Sequence, residues 1–127
     1  KSKFKYLVLL QPTSPQRTHN DLNKACKQIT RNRKADALVS SFEIKDIYLN
    51  KIMFFDGKYL SLNMNKTLKN NNKCYYRNGP SILITKIKNI NKTNIYENGK
   101  ITNFIMKKSK SIDINTLGDF KKLIKSF

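Results

Sequence analysis

One stretch constrains the fold of this chain more than any other: the apolar run Tyr6–Leu10 stops at Gln11 and continues as a polar loop to Arg17. An uninterrupted apolar run that ends in turn residues predicts a buried strand of a parallel sheet. In open α/β sheets, ligands bind just outside the carboxyl ends of such strands. Pro12 and Pro15 stiffen the loop. The loop is therefore a candidate binding site, with an ordinary strand-to-helix connection as the alternative.

The residues after the loop continue a strand–helix–strand pattern. Thr18 and Asp21 form a T-x-x-D signal for the beginning of a helix. The apolar residues that follow share one helical face: Leu22, Ala25, Cys26 and Ile29. Ala37–Phe42 predicts a second buried strand. Residues 6–42 are therefore predicted to form a βαβ unit with a right-handed crossover, the core of a Rossmann-like fold.

The next region predicts a projecting arm. Ile52–Phe55 and Tyr59–Leu62 flank Asp56-Gly57, which is a strong signal for a β-hairpin. A two-stranded arm is only marginally stable in isolation. We therefore expect it to pack on the domain or on another subunit.

A third predicted strand, Ser81–Thr85, follows the tight turn Asn78-Gly79-Pro80. This turn places Arg77 and Asn78 at a strand edge, and Ile101–Met106 predicts a further strand. An arginine at such an edge can bind a carboxylate or phosphate through two hydrogen bonds. The alternative is that Arg77 is an ordinary surface residue.

The last segment combines a candidate metal site with a helix. Ser111–Thr116 alternates apolar and polar residues, so Asp113 and Asn115 are expected on one face at the end of the sheet, where two oxygen ligands can hold Mg²⁺. Thr116 and Asp119 repeat the T-x-x-D signal, which makes Asp119 a cap rather than a ligand. The predicted apolar face of this closing helix is Leu117, Phe120, Leu123, Ile124 and Phe127.

Charge and composition limit the other function classes. The net charge is +18, but 22 of the 26 basic residues are lysine and the chain has 16 asparagines, which is typical of an A/T-rich coding sequence. The lysines are dispersed, and no arginine-rich run or RNA-binding aromatic signature accompanies them. Arg31, Arg33 and Lys34 are explained by the negative end of the predicted helix. We therefore expect no specific nucleic-acid partner, and a basic nucleic-acid-binding protein is the third interpretation.

The remaining composition points to a single domain in a reducing compartment. The 127 residues suit one small domain, and no apolar run approaches the length of a membrane span. Cys26 and Cys74 are too few for a disulfide framework, and His19 is the single histidine, which excludes a Ser-His-Asp triad. These features predict a cytoplasmic protein that does not insert into membranes.

Three blocks in this order resemble the acylneuraminate cytidylyltransferases, or CMP-sialic acid synthetases. They are Leu9–Pro15 with Arg17, then Tyr76–Pro80, then Ser111–Thr116 with Asp119-Phe120. The resemblance implies a Rossmann-like, GT-A-like nucleotide-diphospho-sugar transferase fold, an α/β three-layer sandwich. It also implies a homodimer that exchanges a β-hairpin arm, here residues 44–73.

The resemblance implies a reaction as well. CMP is transferred from CTP to a nine-carbon keto sugar acid of the sialic, legionaminic or pseudaminic type, pyrophosphate is released, and Mg²⁺ is required. In bacterial relatives this nucleotide-sugar biosynthesis supplies the glycosylation of lipopolysaccharide, capsule or flagellin. Such in-line phosphoryl transfer depends mainly on positioning and charge neutralisation.

By position, the resemblance assigns roles to residues of the first and third blocks. Gln11 meets the sugar at the end of its strand, and Ser14 and Arg17 shape the loop. Asp113 matches a metal-binding aspartate. Asn115 stands where the family often has a second aspartate, so it retains an oxygen ligand but lacks the charge.

Four further residues complete the implied substrate site. Arg77 and Asn78 match the Arg/Asn-Gly edge of the family. Lys51 and Lys69 are the nearest candidates for the basic residues that the arm sends to the sugar carboxylate of the neighbouring subunit. No general acid, base or nucleophile is identified.

The chain departs from the family in one important feature. Family members begin with a strand and a Gly-Ser-Lys-type loop that binds the CTP triphosphate, and no such loop occurs in this sequence. Residues 1–127 therefore resemble the C-terminal part of a cytidylyltransferase domain whose N-terminal part is missing, and the isolated chain is expected to be inactive. The alternative is a non-catalytic dimerisation or binding module of the same fold.

Overall fold

The chain forms an α/β fold whose elements largely follow the apolar runs and helix signals of the sequence. The computed structural model describes residues 3–44, 53–55, 60–62, 74–76, 81–91 and 99–125. The strands are β1 (Tyr6–Leu9), β2 (Ala37–Ile44), β3 (Met53–Phe55), β4 (Leu60–Leu62), β5 (Cys74–Tyr76), β6 (Leu83–Lys86) and β7 (Ile101–Ile105). The helices are α1 (His19–Arg31) and α2 (Leu117–Ile124), with 3₁₀ turns at Ile87–Asn89 and Lys108–Lys110. Neither described α-helix is long and apolar enough to cross a membrane.

Five strands form a mainly antiparallel sheet in the order β1-β6-β2-β5, with β7 also paired to β2. The β1–β6, β6–β2 and β2–β5 pairs are antiparallel, whereas β2–β7 is parallel. β1 and β2 therefore run in the same direction, but β6 lies between them. The predicted βαβ unit is consequently not formed by neighbouring strands, because a later part of the chain inserts between its two strands.

The prediction that β1 is a buried parallel strand is wrong. β1 lies at the end of the sheet and pairs antiparallel with β6, its one strand neighbour among the described residues. Leu7 and Leu9 are 47% and 46% exposed, and Val8 is exposed as well. An apolar run shows that a strand can be buried, but the neighbours that bury it depend on pairings distant in sequence.

The hydrophobic core lies between α1 and one face of the sheet. Leu22 and Cys26 are partly buried against this cluster, so the predicted apolar face of α1 is confirmed. Cys26 carries a free thiol, while the side chain of Cys74 lies outside the described residues. The buried members of the core are Ala25, Ile29, Leu38, Ile82, Ile84, Phe104 and Met106.

The other face of the sheet is covered less completely. The strand register places Leu9 beside Leu83, and Leu83 beside Val39, on this face. Leu7, Leu9 and Ile105 alternate onto the same face and remain exposed. A three-layer sandwich covers both faces of its sheet. Since no second helical layer buries these three side chains within the described residues, the predicted three-layer, Rossmann-like arrangement is not confirmed.

The hairpin prediction is confirmed for the backbone. β3 and β4 pair antiparallel, with Met53 opposite Leu62 and Phe55 opposite Leu60. The rest of residues 44–73, apart from Ile44 and these two strands, lies outside the described part of the chain. The dimerisation role of the arm therefore stays a prediction.

The other strand predictions are confirmed with small shifts, and the closing helix differs from its prediction. β2 ends two residues later than expected, at Ile44, and Ser81–Thr85 is buried throughout. On α2, Leu123 is buried, whereas Leu117, Phe120 and Ile124 are exposed and Phe127 lies outside the described residues. The apolar face predicted for α2 is therefore mostly uncovered, because the strands and α1 bury little of it.

Candidate functional site

The loop after β1 is held in one conformation by an arginine of its own. The Arg17 guanidinium Nη1 donates to the carbonyl oxygens of Gln11, at 2.7 Å, and of Ser14, at 2.5 Å. The Ser14 amide also donates to the Gln11 carbonyl at 3.3 Å. Charged donors make stronger hydrogen bonds than neutral ones. Arg17 thus braces the loop, because its guanidinium group is hydrogen-bonded to two backbone carbonyls of the loop.

Asp113, which is 99 positions from Ser14 in the sequence, contacts this loop. Ser14 is 3% exposed, and its Oγ donates to Asp113 Oδ1 at 3.2 Å. Next to this contact, the Ile114 amide donates to the Thr13 carbonyl at 2.8 Å. One side-chain and one backbone hydrogen bond therefore fasten the segment before α2 to the loop after β1. The first and third sequence blocks meet at a single place.

Asp113 and Asn115 are neighbours, as predicted, although the segment that carries them is not a strand. Residues 111–115 form an irregular connection between the second 3₁₀ turn and α2. Asn115 Nδ2 donates to Asp113 Oδ2 at 3.1 Å. Each Asp113 oxygen thus accepts one described side-chain hydrogen bond. An ionised carboxylate has about four acceptor sites, so lone pairs remain for a ligand.

This donor set fits a magnesium ion that is also bound by its substrate. Mg²⁺ is usually held by one or two carboxylates together with substrate phosphates and water. Asp113 supplies a carboxylate and Asn115 an amide oxygen. Among the residues that the structure describes, no group of three or more His, Cys, Asp or Glu side chains is placed to hold a metal. Asp113 and Asn115 would therefore hold Mg²⁺ only together with oxygens of a bound substrate.

Asp119 is a helix cap, as predicted. Its Oδ2 accepts from the Thr116 amide at 3.0 Å and from Thr116 Oγ1 at 2.7 Å, and its own amide donates to Thr116 Oγ1. The side-chain hydrogen bond from Thr116 is the largest influence on this carboxyl and holds the pKa of Asp119 below its ordinary value. The carboxylate is therefore committed to the first turn of α2.

The structure places some predicted substrate residues and leaves others outside the described ranges. Gln11 lies at the beginning of the braced loop and is half-buried, while its carbonyl is used by Arg17. The other four predicted substrate residues, Arg77, Asn78, Lys51 and Lys69, lie outside the described residues. Their roles stay predictions.

Sequence reasoning missed a group of buried polar residues at the same edge of the sheet. Ser40 Oγ accepts from the Ile82 amide at 3.0 Å, and Ser41 Oγ donates to Asn103 Oδ1 at 2.5 Å. Ser81 is fully buried, and its Oγ has no hydrogen-bond partner among the residues that the structure describes. Leu83, the first residue of β6, lies opposite Leu9, the last residue of β1, and opposite Val39 within β2. In the sequence, Ser40 and Ser41 interrupt the apolar run Ala37–Phe42, and this interruption could have indicated the buried polar residues.

A comparison of the sequence with protein-family models gave no match, and a comparison with curated proteins gave no match either. The cytidylyltransferase resemblance therefore depends on the three sequence blocks.

Proposed function

We propose that this chain is the sugar- and metal-binding part of a cytidylyltransferase that transfers CMP from CTP to a sialic-acid-type nine-carbon keto sugar acid. The observation that carries the proposal is the hydrogen bond from Ser14 to Asp113. The resemblance assigns the loop to the sugar and Asp113 to the metal. A reaction between a sugar hydroxyl and a metal-bound triphosphate requires those two segments to be adjacent.

The proposed reaction forms one bond and breaks one. The anomeric hydroxyl oxygen of the sugar acid bonds to the α-phosphorus of CTP, while the bond from that phosphorus to the pyrophosphate oxygen breaks. Pyrophosphate leaves and the hydroxyl proton is released. Mg²⁺, when bound, would neutralise phosphate charge in this step. The net charge of +18 also favours the approach of both anionic substrates.

Each described residue has a physical role in this proposal. Arg17 fixes the loop through two carbonyls, so the Gln11 side chain is presented from a rigid support. Ser14 orients the Asp113 carboxylate by donating to Oδ1. Asn115 donates to Oδ2 and thereby restricts the same carboxylate from its other side. A carboxylate that is held by two donors loses less conformational entropy when it binds an ion.

The first test is sugar binding by this chain in solution. We expect titration with N-acetylneuraminic acid in the presence of MgCl₂ to shift the amide NMR signals of residues 11–17. Gln11→Ala should weaken binding by about 10- to 150-fold, since a hydrogen bond to a charged ligand contributes about 1.5–3 kcal/mol. Asn20→Ala, an exposed amide at the beginning of α1, is the matched control and should leave the affinity unchanged. Equal effects of the two variants would contradict the assignment of Gln11.

The second test is turnover of CTP with sialic, legionaminic and pseudaminic acids, measured by pyrophosphate release. We expect none from these 127 residues, because the sequence has no Gly-Ser-Lys-type loop for the triphosphate. Turnover would contradict the expectation that the isolated chain is inactive. Absence of both turnover and sugar-acid binding would contradict the proposal itself and favour the non-catalytic module.

A further inference from the structure

A row of basic side chains on α1 is not used by the proposed sugar and metal site. Lys24, Lys27 and Arg31 are exposed and follow one another at helical spacings of three and four residues. Together with Gln28 and Asn32 they line a shallow cavity of about 590 Å³. At 1.5 Å per residue, the row is about 10 Å long. No acidic residue is among the residues that line it.

Two of the three charges of this row lack a nearby carboxylate in the described part of the chain, whereas Lys24 interacts electrostatically with Asp21. Within the described residues, the ion pairs join Lys110 to Asp21 and Lys122 to Asp119, and neither Lys27 nor Arg31 has a carboxylate in ion-pair range. The turn after α1 adds further positive charge. Arg33 and Lys34 are exposed there, and Lys86 Nζ reaches the Arg33 carbonyl at 2.7 Å. Such clustering raises the local positive potential and attracts polyanions.

The row also stands on a rigid support. The opposite side of α1 is locked in the core, where Ala25 and Ile29 are 0% and 1% exposed. Gln28 Nε2, on the cavity side, donates to Thr102 Oγ1 at 3.2 Å and to the Asn103 carbonyl at 2.8 Å. The helix is thereby fixed to β7. A polyanion that binds here does not have to order the backbone beneath it.

We propose that Lys24, Lys27 and Arg31 form a binding site for the phosphate backbone of double-stranded nucleic acid. Successive phosphates of one strand advance by about 3.4 Å along the duplex axis, so a row of about 10 Å that lies along this axis spans about three of them. The binding is not sequence-specific, because charged contacts to phosphates carry no base information.

Two other polyanion surfaces fit the observations less well. Single-stranded nucleic acid is bound through stacking on aromatic side chains, and none lines this cavity. A helix that lies on a membrane surface adds the insertion of apolar side chains to the attraction of its charges, and three charges alone attract an anionic membrane only weakly. The apolar residues of α1 are already packed in the core of the protein. A duplex requires only the row of charges.

The test is fluorescence anisotropy with a labelled DNA duplex at increasing salt. The variant is Lys24→Gln/Lys27→Gln/Arg31→Gln, which preserves helix propensity because lysine, arginine and glutamine differ little. The matched control removes the same charge from exposed residues elsewhere: Lys107→Gln/Lys108→Gln/Lys121→Gln. We expect the α1 variant to bind about tenfold more weakly at about 50 mM salt, with the slope of log K against log salt reduced by about 2–3.

Three outcomes would overturn this proposal. Equal losses in the α1 variant and its control would show that binding depends on net charge alone. Binding to anionic vesicles without binding to the duplex would assign the row to a membrane surface. Absence of duplex binding by the unmodified chain would leave the row without a function. Asp113→Asn should not change duplex binding, so this test is independent of the proposed cytidylyltransferase function.

Discussion

The helices α1 and α2 have the same type of N-terminal cap but are buried to very different extents. In both, an aspartate amide donates to a threonine Oγ at 3.2 Å, and the threonine amide donates back to the carboxylate, at 2.9 Å for Thr18 and 3.0 Å for Thr116. Yet Ile29 of α1 is 1% exposed, whereas Ile124 of α2 is 57% exposed. A capping box determines where a helix begins, but not what the helix packs against.

The difference extends to what stabilises each helix. Isolated helices shorter than about 12–15 residues are marginal in water, and α2 has eight residues with Leu123 as its buried side chain. The segment that precedes α2 is hydrogen-bonded to Thr13 and Ser14, and these two bonds attach α2 to the fold. We infer that α1 belongs to the cooperative core and that α2 depends on its cap and on this attachment.

The largest expected effect comes from the same truncation on each helix. Ile29→Ala should lower the free energy of unfolding by about 2–5 kcal/mol, because it leaves a cavity in the core. Ile124→Ala changes the same atoms at an exposed site and should stay within about 0.5 kcal/mol. Urea denaturation of both variants measures this. Similar losses would show that α2 is packed as tightly as α1.

Removing the N-terminal cap of each helix should have a smaller effect on stability than the core truncation. Thr18→Ala and Thr116→Ala each delete one capping hydroxyl, which costs about 1 kcal/mol. We expect Thr18→Ala to lower the global free energy of unfolding. Thr116→Ala should instead accelerate amide hydrogen exchange within α2 and leave the global value nearly unchanged. A global loss in both variants would place the two helices in one cooperative unit.

The smallest expected effect is a pH dependence of the two caps. Burial raises the pKa of Asp21, but hydrogen bonds from Thr18 and the charges of Lys110 and Lys24 outweigh it and leave that pKa below its ordinary value. The Thr116 side chain likewise lowers the pKa of Asp119. The contribution of both caps to stability is thus present above the unfolded-state pKa of about 3.9 and is lost as pH falls through the folded-state pKa.

NMR titration of the carboxyl carbons tests this pH dependence. Thr18→Ala should raise the pKa of Asp21 while Asp119 keeps its value, and Thr116→Ala should do the reverse. Unchanged pKa values in these variants would mean that the threonine hydrogen bonds do not stabilise the charged carboxylates.

The sequence predicts those parts of the fold that depend on residues close together in the chain. The Thr18 and Thr116 caps and the β3–β4 hairpin are local signals, and all three are present. The strand neighbours of β1 and the packing of α2 depend on residues distant in sequence. The predictions of a buried parallel β1 and of a buried apolar face on α2 were therefore wrong. For the site, Asp113 and Asn115 lie together as expected, although in an irregular segment and not in a strand, and no local pattern indicates that Ser14 reaches across 99 positions to Asp113.

We propose that the loop after β1 and the segment before α2 form one cation site. Mn²⁺, added as a paramagnetic substitute for Mg²⁺, tests it directly by broadening nearby amide NMR signals. We expect selective broadening of residues 13–17 and 112–115, abolished by Asp113→Asn and retained in Asp119→Asn, which alters a carboxylate already used as a cap. Equal loss of broadening in both variants, or broadening centred on other residues, would show that these two segments do not form a cation site.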